Sequence, residues 1–460
     1  MVRPLIFVSA MLALVSSNVA HANPEPTTHY DGRAAGMAGL AVAYTDNSAA
    51  IFHNPAGLGN IRRFSFSLVA PILYVRYNVP FAGPGSEQNS PPIVAPTPFF
   101  GVAGRISRRL TVGGAIYVPT GFGGSFTNIR RLDDYTPRSP CANAPTGADC
   151  SGTPNAQVVS NQSVKLFVLE AAASLGVNVL DNLRLGLSIR LPFAYQSVSS
   201  MQEAQANNWQ NIEQTVQGFG LPAVLLGAQW DVNRHLSLGA VYRSSTAINM
   251  SGTTLLTLQD GQPVQNVDSS ATWKTPHMFR IGAAIYALDR RLMINMEFRA
   301  QFHATSNKSE TFNLCLAAGG PSAGPCTPDT NFLASIGLDK LTAPFEWYNV
   351  YYPTVGAEYR FRHNMWWRFG TSVGKAATPV RTASQFAPPP GWQYNLATGF
   401  GVQTGRWRLD FAYAFAVGAV AQITQRNSVN CGPNDAQKSG CDGNYSIDTH
   451  TFSLSATYTR

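Results

Sequence analysis

Residues 292–303 read LMINMEFRAQFH, and every second position is apolar. Leu292, Ile294, Met296, Phe298, Ala300 and Phe302 fall on one side of an extended chain, with Asn295, Glu297, Arg299, Gln301 and His303 on the other. A period of two marks a strand with one apolar face. The pattern recurs along the chain. Leu409, Phe411, Tyr413, Phe415 and Val417 oppose Asp410, Ala412, Ala414 and Ala416. Phe452, Leu454, Ala456 and Tyr458 alternate with Ser and Thr, and Phe64, Phe66, Leu68, Ala70, Ile72 and Tyr74 share a face.

Alternation alone suits a soluble sandwich as well; the connections separate the two. Tight turns are expected at Ser107–Arg109, Leu180–Asn182, Asn233–His235, Ala287–Arg291, Arg362–Asn364 and Thr404–Arg406. Between them run long polar or Gly/Pro-rich stretches over 80–96, 123–162, 199–217, 251–272, 307–346, 377–391 and 421–448. Short and long connections alternate, as the periplasmic turns and external loops of an outer-membrane barrel do. Fourteen strands are expected, over 64–79, 97–107, 110–122, 163–180, 183–198, 218–232, 235–250, 273–287, 291–306, 347–362, 365–376, 392–403, 406–420 and 449–459. The number is even, and each strand can supply the roughly 9–11 residues that a tilted crossing needs. Trp273, Trp347, Tyr351, Tyr352, Trp366, Trp367, Trp392 and Trp407 fall near expected strand ends, where interfacial aromatic girdles sit.

Composition agrees. Charged residues make up 13% of the chain, about half the usual ~25%. Met1 to Ala22 has one early charge, Arg3, an apolar stretch from Leu5 to Val15, and the small-x-small ending Ala20-His21-Ala22. It reads as an export signal, with the mature chain starting at Asn23. Beyond it the longest apolar run, Phe411 to Ala421, is too short for a spanning helix, so only a closed barrel can enter lipid. The net charge is +8, but no Lys/Arg run exceeds two, which argues against nucleic-acid binding.

The six cysteines fall as close pairs, Cys141/Cys150, Cys315/Cys326 and Cys431/Cys441, each within a Gly/Pro/Asn-rich loop. In an exported chain these read as local disulfides stapling external loops. They lack the spacing of a metal site. No nucleophile–base–orienter set stands out, no cofactor is implied, and the chain does not read as an enzyme. His303 reads as a lumenal hydrogen-bonding group.

Ahead of the strands lies YDGRAAGMAGLAVAYTDNSAAIFHNPAGL, residues 30–58, rich in Gly and Ala and too weakly patterned to form a core alone. Together with YVPTGFGGSF (117–126), LSLGAVYRSS (236–245), FRIGAAIYALDRRLMINMEF (279–298) and YPTVGAEYRF (352–361), it resembles the outer-membrane long-chain fatty acid and hydrocarbon transporter family of FadL/TodX type. The chain departs from the family's pattern in ending on Arg460 rather than on an aromatic residue.

The resemblance implies an all-β, 14-stranded antiparallel transmembrane barrel over 64–460, with residues 23–63 folded inside it as a hatch. It implies hatch or gate residues at Asn54, Pro55, Ala56 and Gly57, facing a third-strand kink at Gly121, Gly123 and Gly124. It further implies facilitated diffusion of hydrophobic small molecules, long-chain fatty acids or aromatic hydrocarbons, through a monomer set in lipid and lipopolysaccharide of a Gram-negative outer membrane. A lateral exit at the kink comes from the resemblance alone. A general porin would instead need a charged constriction, whereas the inward faces are expected to carry few charges. A surface adhesin would be indifferent to changes in the hatch.

Overall fold

In the computed structural model, residues 29–80, 87–131, 158–205, 208–257, 263–315, 339–384, 387–424 and 443–460 are described. The signal segment and five of the six cysteines (Cys141, Cys150, Cys326, Cys431 and Cys441) lie outside them. Cys315 ends the segment Ser309–Cys315.

The strands form one antiparallel sheet that closes on itself. In chain order they are β1 (Phe64–Pro80), β2 (Phe99–Arg105, prolonged by Ile93–Pro96), β3 (Leu110–Arg131), β4 (Val158–Asn178) and β5 (Leu183–Gln205). Then come β6 (Asn208–Phe219 and Ala223–Asn233), β7 (Leu236–Arg243 and Thr246–Thr257), β8 (Pro263–Thr275 and His277–Ala287), β9 (Leu292–Phe302 and Ser309–Cys315) and β10 (Lys340–Pro344 and Val350–Arg362). The last four are β11 (Met365–Lys375), β12 (Trp392–Thr404), β13 (Trp407–Gly418) and β14 (Gly443–Thr459). Each pairs with its neighbours in sequence, and β14 returns to β1 in register from Ser65↔Thr459 to Asn78↔Ser446. These fourteen strands leave no edge along the barrel, which satisfies the backbone in lipid.

The six tight turns fall where expected, all at one end. At Leu288, Asp289 and Arg290 the β8–β9 turn adopts positive φ (48°, 51° and 62°) without a glycine. At the other end strands overrun their expected limits. β3 continues to Arg131 rather than ending near 122, and β4 begins at Val158. In these extensions apolar and polar residues stand opposite one another, as in Phe126↔Gln162, so no period-two apolar face reveals them.

Five consecutive strands break partway along, at 220–222, 244–245, Pro276, 303–308 and 345–349. Pro222 and Pro276 have no N–H to give to a ladder. Side chains serve the backbone groups there: Arg190 Nη2 donates to Ser244 O (2.8 Å), Thr246 Oγ1 to Leu221 O (2.8 Å) and Asn307 Nδ2 to Lys274 O (2.9 Å).

The two faces of the wall are sorted inside-out relative to a soluble protein. Leu68, Ile72, Ile116, Ile189, Ile281, Phe298, Leu409 and Leu454 are exposed on the outside. Ser67, Glu170, Arg190, Glu297, Glu358, Arg368 and Asp410 are buried on the inside. An apolar outer belt with a polar interior is the arrangement of a barrel in a bilayer.

Two expectations need correction. The inward faces carry many charges, because the lumen is occupied by protein groups that pair with them. Trp273, Trp347 and Tyr352 are buried rather than set in an interfacial girdle, since they help fill the long-loop half of the lumen. Tyr351, Trp367, Trp392 and Trp407 are exposed on the outer face.

Candidate functional site

Residues 29–61 are almost wholly buried and lodge against the inner wall. The segment contains two single helical turns, α1 (Gly32–Ala35) and α2 (Ala50–His53), followed by a 3₁₀ helix, Pro55–Asn60. Asp31 caps α1 by accepting from Arg33 N at 3.1 Å. Asn54 caps the 3₁₀ helix by accepting from Ala56 N at 3.1 Å, and Pro55 occupies its first turn, where no N–H is required.

Asn54 also ties the segment to itself and to the wall. Its Nδ2 donates to Val42 O at 2.7 Å and to Ala228 O of β6 at 3.0 Å. The wall accepts Pro55 and Ala56 because three inward positions in register, Gly176, Gly186 and Gly227, carry no side chain. A Cβ on Gly186 would stand 2.1 Å from the Pro55 carbonyl carbon, and one on Gly227 would stand 2.0 Å from Asn54 Oδ1. At Gly57 a Cβ would reach 2.9 Å from Thr45 O, so this residue serves packing within the segment.

An ionic cluster holds the segment at the opposite wall. Arg33 Nη2 meets Glu358 Oε1 at 2.6 Å, and Arg368 bridges Glu358 Oε2 (2.7 Å) and Asp410 Oδ1 (2.5 Å). Arg408 contacts Asp410 at 3.1 Å and Asp31 at 3.2 Å. Elsewhere Glu297 accepts from Val42 N at 3.3 Å and pairs with Arg280, whose Nη2 donates to Gly39 O at 2.9 Å. These buried charges are paired and hydrogen-bonded, as their desolvation demands. Burial pushes His29 down to about 3 and His53 well below its ordinary value, with nearby Arg280 adding to both shifts. Both imidazoles are therefore neutral at physiological pH.

The segment meets β3 through an aromatic cluster. Tyr30 lies 4.8 Å from Phe52, 5.3 Å from Phe99 and 5.7 Å from Tyr117, between ring centroids. Its hydroxyl donates to Val118 O. The β3–β4 register shifts between Tyr117 and Thr120. Gly121, Gly123 and Gly124 lie just beyond in regular register with Phe167, Lys165 and Val164.

Sequence reasoning did not single out Tyr30, the ionic cluster or the three-glycine notch. The signal was present as in-strand glycines in SLGV, RLGL and LLGA, which mark close backbone approach. Their alignment across three strands appears only once register is known.

The lumen beyond the segment, toward the long loops, is lined differently. Leu166, Val168, Val216, Ile248, Met250 and Trp273 point inward from β4 to β8 and pack with Phe345 and Trp347. A second apolar cluster joins Tyr77, Val79, Phe126, Ile423, Tyr445 and Ile447. Arg299 lies 4.9 Å from the ring of Tyr352, a member of the first cluster. A separate concavity of about 770 Å³ includes Leu238, Ile281, Met296, Phe298 and Val355 on the outer, lipid-facing side of the wall.

A closed fourteen-strand barrel with a lipid-facing belt and a folded segment lodged in its lumen defines an outer-membrane channel of the occupied-lumen kind. Residues 148–459 match the family described as outer membrane protein transport protein (OMPP1/FadL/TodX), and the chain belongs to that family. The fold is similar to that of a Pseudomonas aeruginosa FadL homologue (TM-score 0.71, 17% identity, 95% of this chain and 100% of that one). It is also similar to the Ralstonia pickettii toluene transporter TbuX (0.66, 16%, 94% and 99%) and the P. putida toluene transporter TodX (0.67, 14%, 95% and 99%). No curated protein matches the chain.

Proposed function

We propose that the chain carries hydrophobic compounds across the outer membrane by facilitated diffusion, with residues 23–63 acting as a hatch that Asn54, Pro55, Ala56 and Gly57 help to seat. The observation that carries this reading is the split lumen: apolar toward the long loops and ionic around the lodged segment. A lipophile gains by leaving water for the first half and is stopped by the second until the segment shifts. A hydrophilic-solute porin fits less well, because the described lumenal charges spend their fields on one another.

Long-chain fatty acids are the first substrate class to test: the apolar clusters of the long-loop half suit a long hydrocarbon chain. Aromatic hydrocarbons are the second, since two structural neighbours are named as toluene transporters. The barrel works as a monomer in the lipid and lipopolysaccharide of a Gram-negative cell, with its cysteines paired as nearest neighbours in the external loops. Lateral release near Gly121, Gly123 and Gly124 is part of the same proposal.

The test is uptake of labelled long-chain fatty acid by cells lacking their own transporter, beside a variant with Asn54-Pro55-Ala56 replaced and equal outer-membrane insertion. Uptake by the wild type that the variant alters supports a hatch-gated channel. No uptake by inserted wild type rejects fatty acids, and labelled toluene then tests the second class.

A further inference from the structure

Among the described residues of the long-loop half of the lumen, Glu310 is the one buried carboxyl group. It sits on the outer segment of β9 and accepts from Gln196 Nε2 of β5 at 3.1 Å. Those strands stand four places apart in the barrel, so the bond crosses the lumen. Gln196 lies in register between Leu166 of β4 and Val216 of β6, both buried and apolar. Continuing the Ala271↔Phe312 register by two residues sets Glu310 beside Trp273, and Glu310 pairs with Ala343 just ahead of Phe345.

Among the described residues, nothing completes the hydrogen bonding of the pair. Oε1 of Glu310 and Oε1 of Gln196 are buried with no hydrogen-bond donor among the described residues. Turning the Gln196 amide over exchanges its open group but leaves the Glu310 oxygen open either way. An open acceptor in apolar surroundings is a standing cost, which a donor brought in by a ligand removes.

We propose that Glu310 and Gln196 form a head-group site that selects lipophiles bearing an uncharged hydrogen-bond donor, such as a long-chain alcohol or an alkylphenol, over the same hydrocarbon without one. The proposal rests on the chain being a channel for hydrophobic compounds. An ionised carboxylate brings acceptors to acceptors and gains nothing at this point. Trp273, Phe345 and Trp347, with ring centroids 5.1–6.3 Å apart, supply the apolar surface against which the hydrocarbon part rests.

The experiment uses the full barrel in lipid vesicles and follows tryptophan fluorescence, to which Trp273 and Trp347 contribute. It is titrated with dodecanol, dodecane and laurate, each corrected for partition into protein-free vesicles. Dodecanol is expected to bind roughly tenfold tighter than dodecane, the worth of about one well-placed hydrogen bond. The Glu310→Leu/Gln196→Leu double variant should bind the two equally, while Glu310→Gln, which keeps a carbonyl acceptor, should retain the preference. Heat-modifiable gel migration confirms that each variant is folded, and Glu310→Met/Gln196→Met, which also removes both acceptors, serves if the first double variant is not. Equal binding of dodecanol and dodecane by the wild type, or a preference that survives in the double variant, overturns the proposal. Binding of no ligand by the wild type overturns the transport reading beneath it as well.

Discussion

Replacing Asn54 with alanine should unseat the lodged segment while leaving the barrel intact. The substitution removes three hydrogen bonds: the cap to Ala56 N and the donations to Val42 O and Ala228 O. Val42 O keeps a second donor, Gln229 Nε2 at 3.0 Å. The net worth of ~0.5–1.5 kcal/mol per bond therefore applies at Val42 O, while Ala56 N, left without its cap, lies at the upper end of that range. Three bonds sum to about 3 kcal/mol, the capping share falling within the ~0.5–2 kcal/mol that loss of an Asn cap costs. With the turn around Asn54 coming apart as the segment leaves the wall, that is roughly a hundredfold in the ratio of seated to unseated segment. The β4–β5–β6 ladder is untouched, so insertion and heat-modifiable migration should match the wild type. Single-barrel conductance in planar bilayers reads the outcome: openings should become roughly a hundredfold more frequent. Asn54→Ser keeps a capping oxygen but loses both Nδ2 donations, so it should fall between the two. If Asn54→Ala barrels stay as silent as wild type, these bonds do not hold the segment and the argument is wrong.

Gly186→Val would drive a side chain into the Pro55–Ala56 backbone, where even a Cβ comes within 2.2 Å of Ala56 N. Conductance should rise as for Asn54→Ala, whereas Gly104→Val, whose Cβ meets nothing within 4 Å, should change nothing. Phe298→Arg places a charge on the lipid-facing belt, which costs about 2–4 kcal/mol at the bilayer midplane. The urea midpoint for unfolding from vesicles should drop, and an unchanged midpoint would place Phe298 away from lipid.

The barrel was legible because one face of each spanning strand must be apolar, which leaves a period-two trace in single strands such as 292–302. Tight turns leave their own trace, so strand number and alternating connection length followed. The lumen was not legible. Charges at Glu358, Arg368 and Asp410 look like scattered polar positions until register aligns them across β10, β11 and β13. The apparent scarcity of inward charge came from taking strands one at a time. Trp273 and Trp347 misled because an aromatic near a strand end can face lipid or lumen equally well. Only the neighbouring Val350 and Tyr352, brought in by the fold, decide between them.

The division of the lumen also bears on how a hydrophobic cargo could move the segment. An apolar molecule has no differential affinity for ion pairs, so it cannot loosen the Arg33–Glu358 and Asp31–Arg408 contacts directly. It can compete for apolar surface where the segment meets the wall, and the Tyr30–Phe52–Phe99–Tyr117 cluster is such a surface, next to the register shift in β3. A ligand that displaced Tyr30 would also release the hydroxyl from Val118 O. The ionic side would then hold that part of the segment in place while the aromatic side gives way. Unseating at one wall with retention at the other would let a segment already anchored through residues 61–63 to β1 return to the same seat after each opening.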